Sequence, residues 1–301
     1  MLEKQRFNQG LCSWINVDAK NTEEVAKLRE RYQISDEMLT YSLDKNERAR
    51  VEYDPMTHSL LVVFNVAHLD KTDNHYETSP MAFILKDHHM FTFVSERTKY
   101  VVAVIENQLK REPKQSTASL LFHTLFVISD YYFPLIEEVN SERIRLNARL
   151  REKTTNKNLL RLSDLEIGLV YLVTATKQNV VLLEQIKAQG LFPSFTDKEK
   201  EQLDDALIEA KQAVEMTQLA SEILDQLSGT YNNLLNNNLN DTMKILTIWS
   251  LLLTIPTIVS GFFGMNMPLP FENSNAGWII SLVISLGLSV WMIIVLWRRI
   301  R

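Results

Sequence analysis

The sequence of 301 residues predicts an α/β cytoplasmic domain, a long α-helical stalk and two C-terminal transmembrane helices. Three observations carry this. Charged residues are dense up to Lys244, after which Glu272 is the only ionisable side chain between Ile245 and Trp297. Strand-like alternation fills the N-terminal third and then stops, with helical periodicity taking over from about residue 116. Finally, Ile245 to Phe263 and Trp278 to Trp297 are apolar runs of nineteen and twenty residues, matching the ~20 a helix needs to cross a bilayer core.

Taken in order, LCSWINVDA (11–19) reads as a strand ending at a turn, and NTEEVAKLRERY as an amphipathic helix. RVEYDPMTHSLLVVFNVAHL reads as two strands turning at Asp54 and Pro55, and MAFILKDHHMFTFVSE as a second hairpin turning at Asp87 to His89. Together they predict a small mixed sheet flanked by helices. Helical patterns with charged faces follow to residue 190, broken near Lys153 to Asn158. Thr196 is then a good N-cap, and Glu199 three residues on completes a capping box. From Asp197 no stop signal precedes Pro256, so one helix of roughly 100 Å is expected to run into the first crossing, with a local bend near Leu252 to Pro256. Its apolar residues Leu203, Leu207, Ala210, Val214, Thr217, Leu224, Leu227, Tyr231 and Leu234 form a seam for other helices or for copies of itself. The expected organisation is an α/β domain over 1–115, long helices over 116–244 with the stalk from about 197, a first crossing over 245–263, an outer loop over 264–277, a second crossing over 278–297 and a basic tail over 298–301.

Basic residues set the expected orientation. Lys244 precedes the first crossing and Arg298, Arg299 and Arg301 follow the second, while the link between them has none, so both termini are expected on the cytoplasmic side of the plasma membrane. The N-terminus has no charged-then-apolar export pattern, and the single Cys12 fits a reducing compartment. A net charge of −5, thinly mixed, gives no argument for nucleic acid. No GxxxxGK[ST], HExxH or GxSxG motif occurs, and the six histidines show no zinc-ligand spacing, which argues against an enzyme.

Spacing singles out one face of the first crossing. From Asn240, steps of three and four place Met243, Thr247, Ser250, Thr254, Thr257 and Gly261 on one stripe, small or hydroxyl-bearing within the crossing and flanked by Leu, Ile, Val, Trp and Phe. Such a stripe is either a tight helix-packing seam or the wall of a pore made by several copies. Six asparagines in YNNLLNNNLN precede it, either as a solvated stretch or as part of the same face. At its outer end the helix stops in SGFFGMN, where Gly261 and Gly264 allow close approach and Asn266 offers an uncharged carbonyl.

The segment from Tyr231 to Asn266, with asparagines ahead of MKILT, a proline within the crossing, Gly-Met-Asn at its end, a second crossing and a basic tail, resembles the CorA family of magnesium channels. WINVDA is also similar to that family's first strand. The resemblance covers the chain in outline and matches the last seventy or so residues in detail. It implies a funnel-shaped homopentamer whose first crossings line a central pore. Gly264, Met265 and Asn266 would form the selectivity filter, and Asn240, Met243, Leu246, Thr254, Thr257 and Gly261 fall at the family's pore-lining positions; all but Leu246 lie on the stripe drawn from spacing.

The transported ion implied is Mg²⁺, with Co²⁺, Ni²⁺ or Zn²⁺ as the alternative cargo; the bilayer and other copies of the chain are the expected partners. No cofactor is expected. Feedback by bound divalent cation is implied as well, with Asp204 and Asp205 as candidate ligands, or simply as an acidic patch near a helix start. Three departures stand out: Phe263 replaces a frequent tyrosine, Thr254 a larger apolar residue, and the outer loop carries only Glu272. A membrane-anchored scaffold without transport is the competing class.

Overall fold

The computed structural model describes residues 3–18, 21–189, 195–265 and 277–300, and the chain divides into two units, 1–227 and 228–301. The first unit is built on a six-stranded sheet. Its strands are β1 (Glu3–Phe7), β2 (Cys12–Asp18), β3 (Arg50–Asp54), β4 (Ser59–Ala67), β5 (Thr78–Lys86) and β6 (His89–Val94), in spatial order β1-β2-β6-β5-β4-β3. β2 and β6 run parallel, with Trp14 opposite Met90, while the other neighbours are antiparallel.

Both expected hairpins form. In the first turn the Asp54 carboxylate accepts from the Met56 N–H at 2.8 Å, and Thr57 Oγ1 donates to it at 2.7 Å. The second turn is Asp87 and His88 alone, so His89 is already in β6, one residue earlier than the sequence suggested. β1 was not expected, because EKQRF lacks apolar alternation. It holds through its ladder to β2, and its charges suit a sheet edge that must not recruit further strands.

Helices cover both faces of the sheet. α1 (Thr22–Tyr32) starts on Asn21, whose side chain accepts from the Glu23 and Glu24 N–H groups, and α2 (Asp36–Leu43) starts on Ser35, which accepts from Met38. Against them pack Ile15, Val17, Leu61, Val63, Ala82, Ile84, Phe91 and Phe93, alternate residues of four strands, together with Leu28, Ile34, Met38 and Leu39. The remaining helices are α3 (Tyr100–Arg111), α4 (Thr117–Asp130), α5 (Tyr132–Glu152) and α6 (Asn156–Gln189). The Asn65 carbonyl accepts from Tyr132 Oη and Asn179 Nδ2, both at 2.9 Å, which ties α5 and α6 to the C-terminal part of β4. With cover on both sides, β4 is buried at all nine positions, the pattern of a central strand.

The expected helix break at 153–158 is the short connection 153–155. A second break, at Tyr131, was not read from the sequence. Pro134 explains it, since it lacks the N–H that would bond the Asp130 carbonyl and its ring crowds that oxygen.

α7 (Asp197–Phe263) is one helix of 67 residues and contributes to both units. Its start is the expected capping box: the Thr196 N–H donates to Glu199 Oε2 at 2.7 Å and the Glu199 N–H donates to Thr196 Oγ1 at 3.3 Å. The seam is buried at Leu203, Leu207, Ala210, Thr217 and Leu224 and half-buried at Val214, against the same chain's α6: Thr176 and Thr217 hydroxyls lie 3.1 Å apart, and Lys187–Asp204 and Lys211–Glu184 pairs of 2.7 Å flank them. Further along, Leu227 is half-buried and Tyr231 buried, while Leu234, expected to extend the seam, is exposed.

Candidate functional site

The second unit contains the end of α7 and α8 (Gly277–Ile300). Among the described residues, three stretches of helix are long and apolar enough to cross a membrane, and burial separates them. The most apolar stretch within Thr117–Glu152, in α4 and α5, is 61% buried in the first unit, as core helices should be, whereas that of α7 is 6% buried and that of Trp278–Leu296 is 0% buried. Side chains such as Trp249, Leu253, Ile258, Trp278 and Trp291 stand exposed on all sides. Only lipid or further protein makes such a surface stable.

On α7 half-buried Ile248, Leu252, Ile255 and Phe263 recur in line with buried Val259, and on α8 half-buried positions recur at Ser281, Ser285, Ser289, Met292 and Leu296. Each set marks one helical stripe. Leu296, near the end of α8, lines a groove of about 700 Å³ with Asn237, Asn240, Met243, Lys244 and Thr247, so the two helices pair antiparallel. Ser250, Thr254, Thr257 and Gly261 fall on the side of α7 turned away from that contact, exposed. Leu246 joins them, 56% exposed, with Met243 at 55%.

Thr247, at the edge of the groove, and the hydroxyls on this face share one geometry. Thr247 donates to the Met243 carbonyl at 2.8 Å, Ser250 to Leu246 at 2.9 Å, Thr254 to Ser250 at 2.7 Å and Thr257 to Leu253 at 2.9 Å. Each thus spends its hydrogen on its own helix and presents only oxygen lone pairs outward. The stripe is therefore not a set of unsatisfied donors demanding a partner; it is a line of acceptors.

α7 passes through Pro256 unbroken. It ends at Phe263, with the Gly264 N–H bonded to the Ser260 carbonyl at 2.9 Å and the Met265 N–H to Phe262 at 3.4 Å. Gly264 is not in the left-handed region in which glycine often ends a helix. What it supplies is room, because a Cβ there would lie 3.1 Å from the Ser260 carbonyl. A Cβ at Gly261 would meet nothing within 4 Å in this chain. Asn266 and Glu272 lie outside the described residues.

Asp204, half-exposed, is held by Lys187, and Asp205 is exposed beside it. Among the described residues of this single chain, no group of three or more His, Cys, Asp or Glu is placed to hold a metal ion. One feature of the groove was overlooked in the sequence although D-x-x-K signals it: Asp241 and Lys244 pair at 2.9 Å on the first turn before the apolar run.

An α/β domain joined by one long helix to a pair of exposed apolar helices defines a membrane protein with a large soluble part. The chain belongs to the family described as CorA-like Mg²⁺ transporter protein, whose model matches residues 9–299. It is similar to the cobalt/magnesium transport protein CorA of Methanocaldococcus jannaschii, at 25% identity over 93% of this chain and 88% of that protein. The protein of the same name from Thermotoga maritima is 23% identical over 84% of this chain and 73% of its own length. In three dimensions the complete CorA magnesium transporter structure from Methanocaldococcus jannaschii matches with a TM-score of 0.79 at 22% identity, covering 98% of this chain and 92% of that one. Membership places the chain among divalent-cation transporters of the membrane.

Proposed function

We propose that this chain is a magnesium-selective channel, a homopentamer in which α7 of each copy lines a central pore and Asn266 forms a ring at its outer mouth. The observation that carries the reading is the acceptor-only stripe of Thr247, Ser250, Thr254 and Thr257. Water around a cation turns its oxygens to the ion and its hydrogens outward, so a hydrated cation needs acceptors from the wall, whereas a hydrated anion needs donors. Mg²⁺ gives up its waters reluctantly, and a neutral wall of acceptors passes it with the shell on. Asn266 amide oxygens extend the same chemistry to the mouth. At the other end, Met243 and Leu246, exposed in the single chain, form an apolar constriction that closes by dewetting.

Basic residues at both ends of the helix pair put both termini in the cytoplasm, and an inside-negative potential, worth about 2.3 kcal/mol per charge per 100 mV, drives uptake. Gating by internal divalent cation would use Asp204 and Asp205 between copies, with the Lys187 pair giving way to the ion. A second cargo, Co²⁺, is favoured by the names of the two relatives, both cobalt/magnesium transport proteins.

Flux of Mg²⁺ and Co²⁺ into proteoliposomes, for the natural chain and for Asn266→Ala, tests the reading. Mg²⁺ entry that loses its selectivity in the variant is the expected result. A pentamer that passes no divalent ion, or passes it equally well without Asn266, overturns the filter and returns the scaffold reading.

A further inference from the structure

The chain is acidic overall, with a net charge of −5, yet between Arg143 and Arg161 there are seven Lys and Arg residues and a single acidic one, Glu152. This span is the end of α5, the turn and the start of α6. On it lies a cavity of about 270 Å³ lined by Glu142, Arg145, Leu146, Arg149 and Arg161. Glu142 is the one carboxylate in the lining, and it is already engaged, accepting from Lys71 Nζ at 2.7 Å. No carboxylate among the described residues lies within ion-pair distance of Arg145, Arg149 or Arg161; Arg145 Nε donates to the Ser141 carbonyl at 3.3 Å, which neutralises nothing.

Ordinary structural roles do not account for this arrangement. Arg149 sits in the last turn of α5, where a cation complements the helix dipole, but that explains one arginine of three. Arg145 and Arg149 are four apart on one helix, a like-charge spacing that weakens the helix, and Arg161 brings a third charge from α6. Three guanidinium groups gathered around one concavity whose lining holds a single carboxylate, Glu142, leave positive charge in excess. Such a site fits an anion that brings several oxygens, and the planar fork matches phosphate better than a single carboxylate. The volume is below that of a drug-sized pocket, so the fit is to a phosphate group or a short phosphate chain rather than to a whole cofactor. Its concavity also favours a small anion over an acidic protein surface, which would need a broad face.

We propose that Arg145, Arg149 and Arg161 form a binding site for a phosphate-bearing anion, either a free polyphosphate or a phospholipid headgroup, on the cytoplasmic unit. This inference is independent of the ion that the pore passes.

Binding of inorganic pyrophosphate to the full chain in detergent tests it, read by calorimetry and by the shift in melting temperature. The expected result is salt-sensitive binding that raises the melting temperature, weakened about tenfold or more by Arg149→Gln with Arg161→Gln. Arg151→Gln, on the same hairpin but outside the cavity, keeps the affinity, and Arg149→Lys loses part of it because the fork is lost while the charge stays. Without pyrophosphate the double variant melts no lower than the natural chain, since it removes repulsion; a purely structural role would make it melt lower. Short-chain phosphatidic acid added in competition separates the sources: displacement of pyrophosphate marks a headgroup site, and its persistence marks a site for free polyphosphate. No binding at low salt, or equal binding by the double variant, overturns the proposal. So does a change of oligomeric state in the double variant without any pyrophosphate binding, which would assign the arginines to a contact between copies.

Discussion

The sheet unit and the apolar helix pair handle the same kinds of residue in opposite ways. In the sheet unit, Phe64, Phe83, Phe91 and Tyr132 are fully buried, and the one hydroxyl among them finds the Asn65 carbonyl. In the helix pair, Trp249, Leu253 and Trp291 stand in the open, and the hydroxyls bond to their own backbone. The first unit satisfies its apolar surface within one chain, while the second leaves its own uncovered. Stability should therefore reside in the sheet and function in the surface that a single chain leaves uncovered.

The largest expected effect is functional. Asn266→Ala removes one acceptor per copy, each worth ~0.5–1.5 kcal/mol, so over several copies selectivity for Mg²⁺ over monovalent cations in a flux assay should fall by about a hundredfold or more, with an unchanged melting temperature. In the sheet, Phe91→Ala should cost ~3–5 kcal/mol of unfolding free energy, whereas Trp249→Ala, at an exposed site, should stay within ~0.5 kcal/mol, both read from denaturation of the full chain in detergent. Equal losses at the two sites would break the comparison. Smaller still, Glu199→Ala opens the capping box of α7 and releases Ser116 Oγ, at about 0.5–2 kcal/mol in the same assay.

Acid should weaken the sheet unit before the helix pair. Burial, reinforced by Arg97 and opposed by Glu77, holds His68 below its ordinary pKa of 6.5, and burial lowers His89 and His123 as well. The unfolded chain takes up protons that the folded chain refuses, so stability is full above about pH 7 and falls as pH drops through 6.5 towards the folded values. Melting temperature should decline modestly over that window, and His68→Gln should flatten part of the decline. A melting temperature that rises on acidification would refute the account.

Much of this was legible in the sequence because the signals were local. The capping box at Thr196 and Glu199, the Asp54 turn and the two apolar runs each declare themselves within a few residues. β1 did not, since EKQRF becomes a strand only by pairing with Cys12–Asp18, a contact that local pattern cannot express. The break at Tyr131 was written in Pro134 and overlooked. For the candidate site, spacing found the stripe but not its polarity: the direction of each hydroxyl hydrogen depends on the carbonyl four residues back, and that is a property of the folded helix.

The six asparagines between Asn232 and Asn240 give α7 a mechanical character. Every residue from 232 to 240 is exposed, so no packing offsets the poor helix propensity of asparagine, a deficit approaching ~0.7 kcal/mol for each relative to alanine. The beam is stiff at its capped start, where one side is packed from Leu203 onward, and soft along the exposed section after buried Tyr231. Amide hydrogens should exchange there faster than anywhere else in the helix, and any torque carried along α7 will be taken up as twist in these nine residues before it reaches Met243.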